Sequence, residues 1–265
     1  MRKLDIRTAL VTGASAGLGA EFARQLAARG SGLILVARRK ERLEALAAEL
    51  SGRHGVPVEV LAADLLTPAG VAQAEARAAS CARLDLLVNN AGAGTPAAFV
   101  KTDPDYLRGM VQVHAAVSVS LARAALPGMI ARGRGYVINV ASMAAFSPLS
   151  GPVYSANKAF LVAFSVNLQG ELAGTGVRVQ ALCPGMTHTE FHDVIKMDTS
   201  GIPRFMWMDA PDVVRASLTA LGRGRLICIP GWQNRLIAVP ERCAPTAWVI
   251  RRLASLPYFR RKADV

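Results

Sequence analysis

In the stretch YSANK, Tyr154 and Lys158 stand four positions apart. On a helix such a pair shares one face, so a phenol and an ammonium can point into the same cleft. A free phenol has a pKa near ~10, too high for easy proton exchange at neutral pH. A neighbouring ammonium favours the phenolate and draws that value toward the working pH. The spacing fits proton transfer and fits one turn of an ordinary helix equally well, so the surrounding sequence must decide. A second group, HTEFH at 188–192, sets His188 and His192 at a spacing that suits zinc, with Glu190 and Asp193 nearby. It has no clear third ligand, so the expectation is the polar face of a short helix and no metal site. Cys81, Cys183, Cys228 and Cys243 lie far apart without a CxxC pair and read as neutral thiols in a reducing compartment.

The elements that must carry these groups alternate along the chain. TALVTG, GLILVAR, VEVLAAD, LDLLVNNAG, GYVINVAS, VRVQALCPG and RLICIPG are short apolar runs. Helical patterns separate them, from about 17 to 29, through ERLEALAAEL, through the seventies, across roughly 103–132, over about 152–173 and near 211–222. Apolar runs without polar alternation predict strands buried on both faces. Strands separated by helices predict βαβ units with right-handed crossovers. The fold class is therefore α/β, a doubly wound parallel sheet of about seven strands in a single domain. That domain is expected over 1–231, with a substrate-covering lid at 186–210 and a basic C-terminal extension over 232–265. Ligands of such sheets sit beyond the carboxyl ends of the strands.

TGASAGLG follows the first strand and opens the first helix, placing Gly13, Gly17 and Gly19 on the spacing GxxxGxG. Glycine permits a tight turn and close backbone approach, and the helix N-terminus offers N–H groups to a pyrophosphate. Ser15 and Leu18 belong to the same turn. At the end of the second strand an acid would bond the ribose hydroxyls of NAD; this chain has Arg38 and Arg39. A guanidinium there pairs with a 2′-phosphate and stacks on adenine, which selects NADP(H) over NAD(H).

Five motifs stand in order beside the expected elements. TGxxxGxG follows strand one, NNAG (Asn89 to Gly92) follows strand four, and Ser142 follows strand five. YxxxK carries Tyr154 and Lys158, and PG after strand six is Pro184 and Gly185. Together they resemble the short-chain dehydrogenase/reductase family over about residues 6–231, which implies a Rossmann-like fold. The resemblance implies that Asp64 holds the adenine, that Asn90 and its neighbours, Gly92 among them, line the cofactor and brace the central strands, and that Thr187 and Thr189 meet the nicotinamide carboxamide or the phosphates. It further implies that Tyr154 exchanges a proton with the oxygen of a carbonyl/alcohol pair, that Ser142 orients that oxygen, and that Lys158 also binds the nicotinamide ribose. One position departs from the family. VQVHAAV puts His114 where an asparagine is usual, one whose backbone carbonyl holds a water beside the lysine. A histidine keeps that carbonyl, so the relay can survive in altered form. His114 could instead shuttle protons itself, or leave a weakened enzyme or a chain that binds dinucleotide without turnover, as a regulator or scaffold; a membrane-surface-associated scaffold rests on the tail alone.

The net charge is +12, from 31 Lys and Arg against 19 Asp and Glu, and the arginines are spread along the chain. Without an aromatic-plus-basic motif, nucleic acid is not an expected partner. No stretch offers about 18 uninterrupted apolar residues, and MRKLDIRTALVTG lacks a signal-peptide core, so a cytoplasmic oxidoreductase is expected. Phe205, Met206, Trp207 and Met208, with Met143, Phe146 and Pro148, suggest a pocket for a hydrophobic carbonyl or alcohol. In the tail, Trp248, Val249, Ile250 and Leu253 with Arg251, Arg252, Arg260, Arg261 and Lys262 form a basic amphipathic pattern. Such a segment can lie on an anionic membrane, cap a pocket or dock on a sister subunit. The family resemblance implies a homodimer or homotetramer built through the long helices.

Overall fold

The computed structural model describes residues 4–95, 97–147, 150–195 and 197–238. Its centre is β1 (Thr8–Thr12), where Ala9, Leu10 and Val11 are wholly buried. Successive side chains of a strand point to opposite faces. Ala9 and Val11 accordingly enter one core while Leu10 enters another. The remaining strands of the main sheet are β2 (Gly32–Ala37), β3 (Val58–Ala62), β4 (Leu84–Asn89), β5 (Gly135–Val140), β6 (Val177–Leu182) and a short one, β9 (Ile227–Cys228). They pair in the order β3-β2-β1-β4-β5-β6-β9, and every pair is parallel. This is the Rossmann-like doubly wound sheet, and its direction of winding reverses between β1 and β4, where the crevice for a ligand opens.

Helices cover both faces. The first core lies under α1 (Gly17–Ala27), α2 (Lys40–His54) and α8 (Ala210–Gly222). In α2 the buried residues Leu43, Leu46 and Leu50 recur at helical spacing, so the charged positions between them face water. The second core lies under α3 (Pro68–Ser80) and α5 (Val117–Ala131). Thr67 starts α3 by accepting the N–H of Gly70 at 3.1 Å, and Pro68 stands at the first turn, where its missing N–H costs no bond. The last major helix, α6 (Pro152–Glu171), packs on β6 and carries the YSANK stretch.

Three expectations change. β3 is an edge strand, and Val58–Ala62 is partly exposed rather than buried on both faces, because only β2 flanks it. The seventh strand is two residues long. The long helix expected over 103–132 is interrupted: α4 (Pro104–Val111) leads into a five-residue π-helical segment, Gln112–Ala116, before α5 begins. The whole run from Pro104 to Ala131 is long and apolar enough to cross a membrane. Its Val117, Leu121, Ala125 and Met129 are, however, buried in the second core, as in a core helix.

The segment after β6 contains β7 (Thr187–His188), α7 (Phe191–Val194) and β8 (Met208–Asp209), with β7 and β8 paired in a small second sheet. The chain then runs through α8 and β9 to α9 (Trp232–Ala238). There Asn234 is 3% exposed and lies against Gly185. The basic amphipathic pattern of the tail, with Cys243, lies outside the described residues, as does Pro148.

Phe22 of α1 is wholly buried in the first core. Phe22→Ala is expected to lower unfolding free energy by about 3–5 kcal/mol, read by denaturant titration.

Candidate active site

The YSANK face of α6 meets the carboxyl edge of the sheet. Lys158 is 4% exposed, and its Nζ donates to the carbonyl of Val140, the last residue of β5, at 2.8 Å. Desolvation pulls its ammonium down to about 7, against a weak opposing pull from the nearby Cys183 thiol. The ammonium lies 5.5 Å from the centre of the Tyr154 ring. Ser142 caps the 3₁₀ turn Met143–Phe146 by accepting the N–H of Ala144 at 3.1 Å, and its side chain is hydrogen-bonded to the Tyr154 phenol. Ser142, Tyr154 and Lys158 are thus brought together.

The Tyr154 phenol differs from expectation. The residue as a whole is half-buried, and enclosure of its hydroxyl pushes the pKa up to about 12, with the Ser142 hydrogen bond pulling the other way. The expected lowering draws on the ammonium and an oxidised nicotinamide together, and the ammonium by itself does not produce it. In the fold the ammonium is itself desolvated and engaged by Val140, so the cost of burying a phenolate dominates. At neutral pH the phenol is therefore protonated.

His114 stands against this pair. Its ring meets Tyr154 edge-on at 5.8 Å between centres, while Phe191 of α7 flanks Tyr154 at 5.8 Å. His114 is 1% exposed, its Nε2 lies 3.1 Å from the N and 2.8 Å from the O of Ala93, and its Nδ1 is buried without a partner among the described residues. Burial first, then the charge of Lys158, depress its pKa to about 3. The ring is neutral throughout the physiological range. Gly92 is pressed on this imidazole, where a Cβ would collide with the ring.

A buried polar chain, not anticipated from the sequence, ties these elements together. Ser118 Oγ donates to the His114 carbonyl at 2.7 Å, and Asn89 Nδ2 donates to the Ser118 carbonyl at 3.2 Å. Asn89 Nδ2 also reaches Asn139 Oδ1 at 2.9 Å across paired β4 and β5, and Asn139 Nδ2 donates to Ser165 of α6 at 2.9 Å. The carbonyl expected to serve a water relay thus already accepts one hydrogen bond, with a second lone pair left. Of its members Asn89 is visible in the NNAG motif; Asn139, Ser118 and Ser165 carry no sequence signal that sets them apart.

At the sheet's opposite half, Gly13 and Gly17 adopt φ of 65° and 54°, a region open to glycine. Asn90 Nδ2 donates to the Thr12 carbonyl at 2.9 Å, so it braces β1 against the loop after β4 as expected. Gly19, one turn into α1, lies against Asn90 and the Gly13 carbonyl, and Leu18 packs on the first core. Ala16 precedes α1 without a side-chain cap, and no acid occupies the first turn of the helix. Arg38 and Arg39 follow β2 and are exposed. Arg39 Nε donates to Ser15 at 3.1 Å, and its Nη1 pairs with Glu190 at 3.3 Å. A positively charged rim, glycine backbone and an uncapped helix N-terminus fit a phosphorylated dinucleotide. Asp64 follows β3 and accepts the N–H of Leu66 at 3.0 Å, so one of its oxygens serves its own turn.

The Pro184–Gly185 turn follows β6, and the Pro184 carbonyl accepts the N–H of Met143, joining the two loops behind the site at 2.8 Å. Thr187 Oγ1 donates to Gly185 at 3.0 Å, and Thr189 stands against Gly17. His188 and His192 do not share a helix face: His188 is on β7 and His192 on α7, and both pack on Trp207, at 4.5 Å and 5.1 Å between ring centres. A cavity of about 710 Å³ is lined by these three with Thr189, Asp193, Thr199, Arg204 and Asp209. Of the apolar residues expected to shape a pocket, Trp207 alone among those described lines it; Phe205 is 64% exposed and Met208 packs on the first core. Cys183 and Cys228 are buried, and burial pushes the Cys228 thiol up to about 11.

Comparison with known proteins bears on the whole chain. Residues 7–199 match the family of the short chain dehydrogenases. An uncharacterized oxidoreductase of Myxococcus xanthus is 36% identical over 246 residues, covering 92% of this chain and 94% of that protein. A short-chain dehydrogenase from Sphingobium yanoikuyae, solved in complex with NADPH, superposes with a TM-score of 0.83 at 33% identity, covering 98% of each chain. The bulky-bulky ketone specific alcohol dehydrogenase from Comamonas testosteroni superposes with a TM-score of 0.79 at 31% identity, covering 99% of this chain and 98% of that one.

The depressed pKa of His114 has a consequence for stability. The unfolded chain takes up a proton below about 6.5 while the folded chain does not until about 3, so stability falls as pH drops through that window. The contribution reaches about 1.4 kcal/mol per pH unit. In melting curves from pH 7 to 4, His114→Asn is expected to lose less of its Tm than the wild type.

Proposed function

The chain belongs to the short-chain dehydrogenase family and is an oxidoreductase; we propose that it is NADP(H)-dependent and interconverts a carbonyl and a secondary alcohol on a hydrophobic substrate, with Tyr154 as the proton donor. The observation that carries this reading is the meeting of the Tyr154 phenol, Ser142 and Lys158 at the carboxyl edge of the sheet. Gly13, Ser15, Gly17, Leu18 and Gly19 would hold the diphosphate, Arg38 and Arg39 the 2′-phosphate, and Asp64 the adenine. Asn90, Gly92, Pro184, Gly185, Thr187 and Thr189 would line the remainder, and Lys158 would bind the nicotinamide ribose. The dinucleotide, when bound, supplies or accepts the hydride.

Ser142 orients the substrate oxygen. Tyr154, protonated at neutral pH, donates its proton to that oxygen, which suits carbonyl reduction. Phe191, packed on Tyr154, offers the substrate an apolar wall. His114 acts as a positioning residue for Tyr154 and not as a proton shuttle, because it is neutral and its Nε2 is engaged by Ala93. Tyr154→Phe is expected to lower turnover of a bulky-ketone panel by roughly 10²–10⁴ while the dissociation constant for NADPH, read by fluorescence, stays within about twofold. Turnover that survives in the variant would overturn the assignment.

The proposed homo-oligomer would form through α5 and α6, where Val119, Phe160 and Val166 are exposed and Phe160 stacks on Phe164. Light scattering is expected to give a dimer or tetramer for the wild type and a smaller species for Phe160→Glu.

A further inference from the structure

Glu190 lies between β7 and α7, far in sequence from the arginines after β2. Its two oxygens accept from Arg42 Nη1 at 2.7 Å and 2.9 Å, and one also accepts from Arg39 Nη1 at 3.3 Å. Arg39 is at the same time bonded to Ser15 in the glycine turn, so the carboxylate sits on the cation that borders the dinucleotide crevice. Arg38 carries no ion pair among the described residues. Arg42 was not singled out by sequence; its place one turn into α2, facing the same acid as Arg39, shows that it belongs to this cluster.

We propose that Glu190 is a specificity-determining residue that competes with the 2′-phosphate of NADP(H) for Arg39 and Arg42, and so sets how strongly the chain discriminates NADP(H) from NAD(H). This rests on the cofactor reading above. A carboxylate and a phosphate make the same demand on a guanidinium, a planar pair of N–H donors. Both guanidiniums bonded to Glu190 cannot give the same donors to a second anion, and two anions on one cluster repel each other. The side chains of Arg39, Arg42 and Glu190 are 44%, 50% and 49% exposed, so the pairs are screened by water and exchange readily. Glu190 therefore attenuates phosphate binding without blocking it. Arg42, then Arg39, hold its carboxyl below the usual range, so it is ionised at neutral pH and its competition is constant there.

The test measures dissociation constants for NADPH and NADH by fluorescence, and for adenosine 2′,5′-bisphosphate and 5′-AMP by calorimetry, in the wild type, Glu190→Gln and Glu190→Ala. Unliganded melting temperatures confirm that each variant folds. Both variants are expected to bind NADPH and the bisphosphate about two- to tenfold tighter, with NADH and 5′-AMP unchanged. If the wild type prefers NADPH but both variants bind it equally or more weakly, Glu190 positions the arginines and the competition is overturned. If the wild type binds NADPH and NADH alike, the cofactor reading fails and this inference fails with it.

Discussion

A buried ammonium bonded to the open end of a strand organises the candidate site. Lys158 reaches the carbonyl of Val140 at the point where β5 runs out of pairing partners, which fixes α6 against the sheet edge. Tyr154 is one turn away on the same helix, so its hydroxyl comes to Ser142 on the loop that continues β5. The same β5 supplies Asn139, whose amide joins Asn89 of β4 to Ser165 of α6. Strand and helix are therefore held twice, once by charge at the site and once by amides behind it. Leaving any member of such a chain unpaired would cost about 1–3 kcal/mol, which is why it acts as one unit.

The electrostatics of the site follow from burial more than from pairing. Tyr154, Lys158 and His114 all have their charged forms disfavoured, the phenol shifted up and the two bases down. Among the described residues no carboxylate joins this group to offset the cost. The result is a low-dielectric cluster in which Tyr154 and His114 are neutral, Lys158 titrates near neutrality and a proton on Tyr154 is available.

Much of the fold could be read from the chain because its strands are apolar runs without alternation. β1 and β2 were legible for that reason, and Val58–Ala62 misled because an edge strand can be equally apolar. The π segment at Gln112–Ala116 was invisible: a single widened turn leaves helical spacing intact to the eye. Tyr154, Lys158 and Ser142 were found through spacing and order along the chain. Their protonation was not, because it depends on how closely His114, Phe191 and Val140 enclose them. The pairing of Glu190 with Arg42 spans 148 positions and has no local signature.

The close seating of Gly92 beneath the His114 imidazole binds the histories of two positions together. Any side chain at 92 must wait until 114 has shrunk, whereas 114 can shrink first, at the expense of packing on Tyr154 and of the contact with Ala93. Substitutions at this pair therefore have a permitted order, 114 before 92.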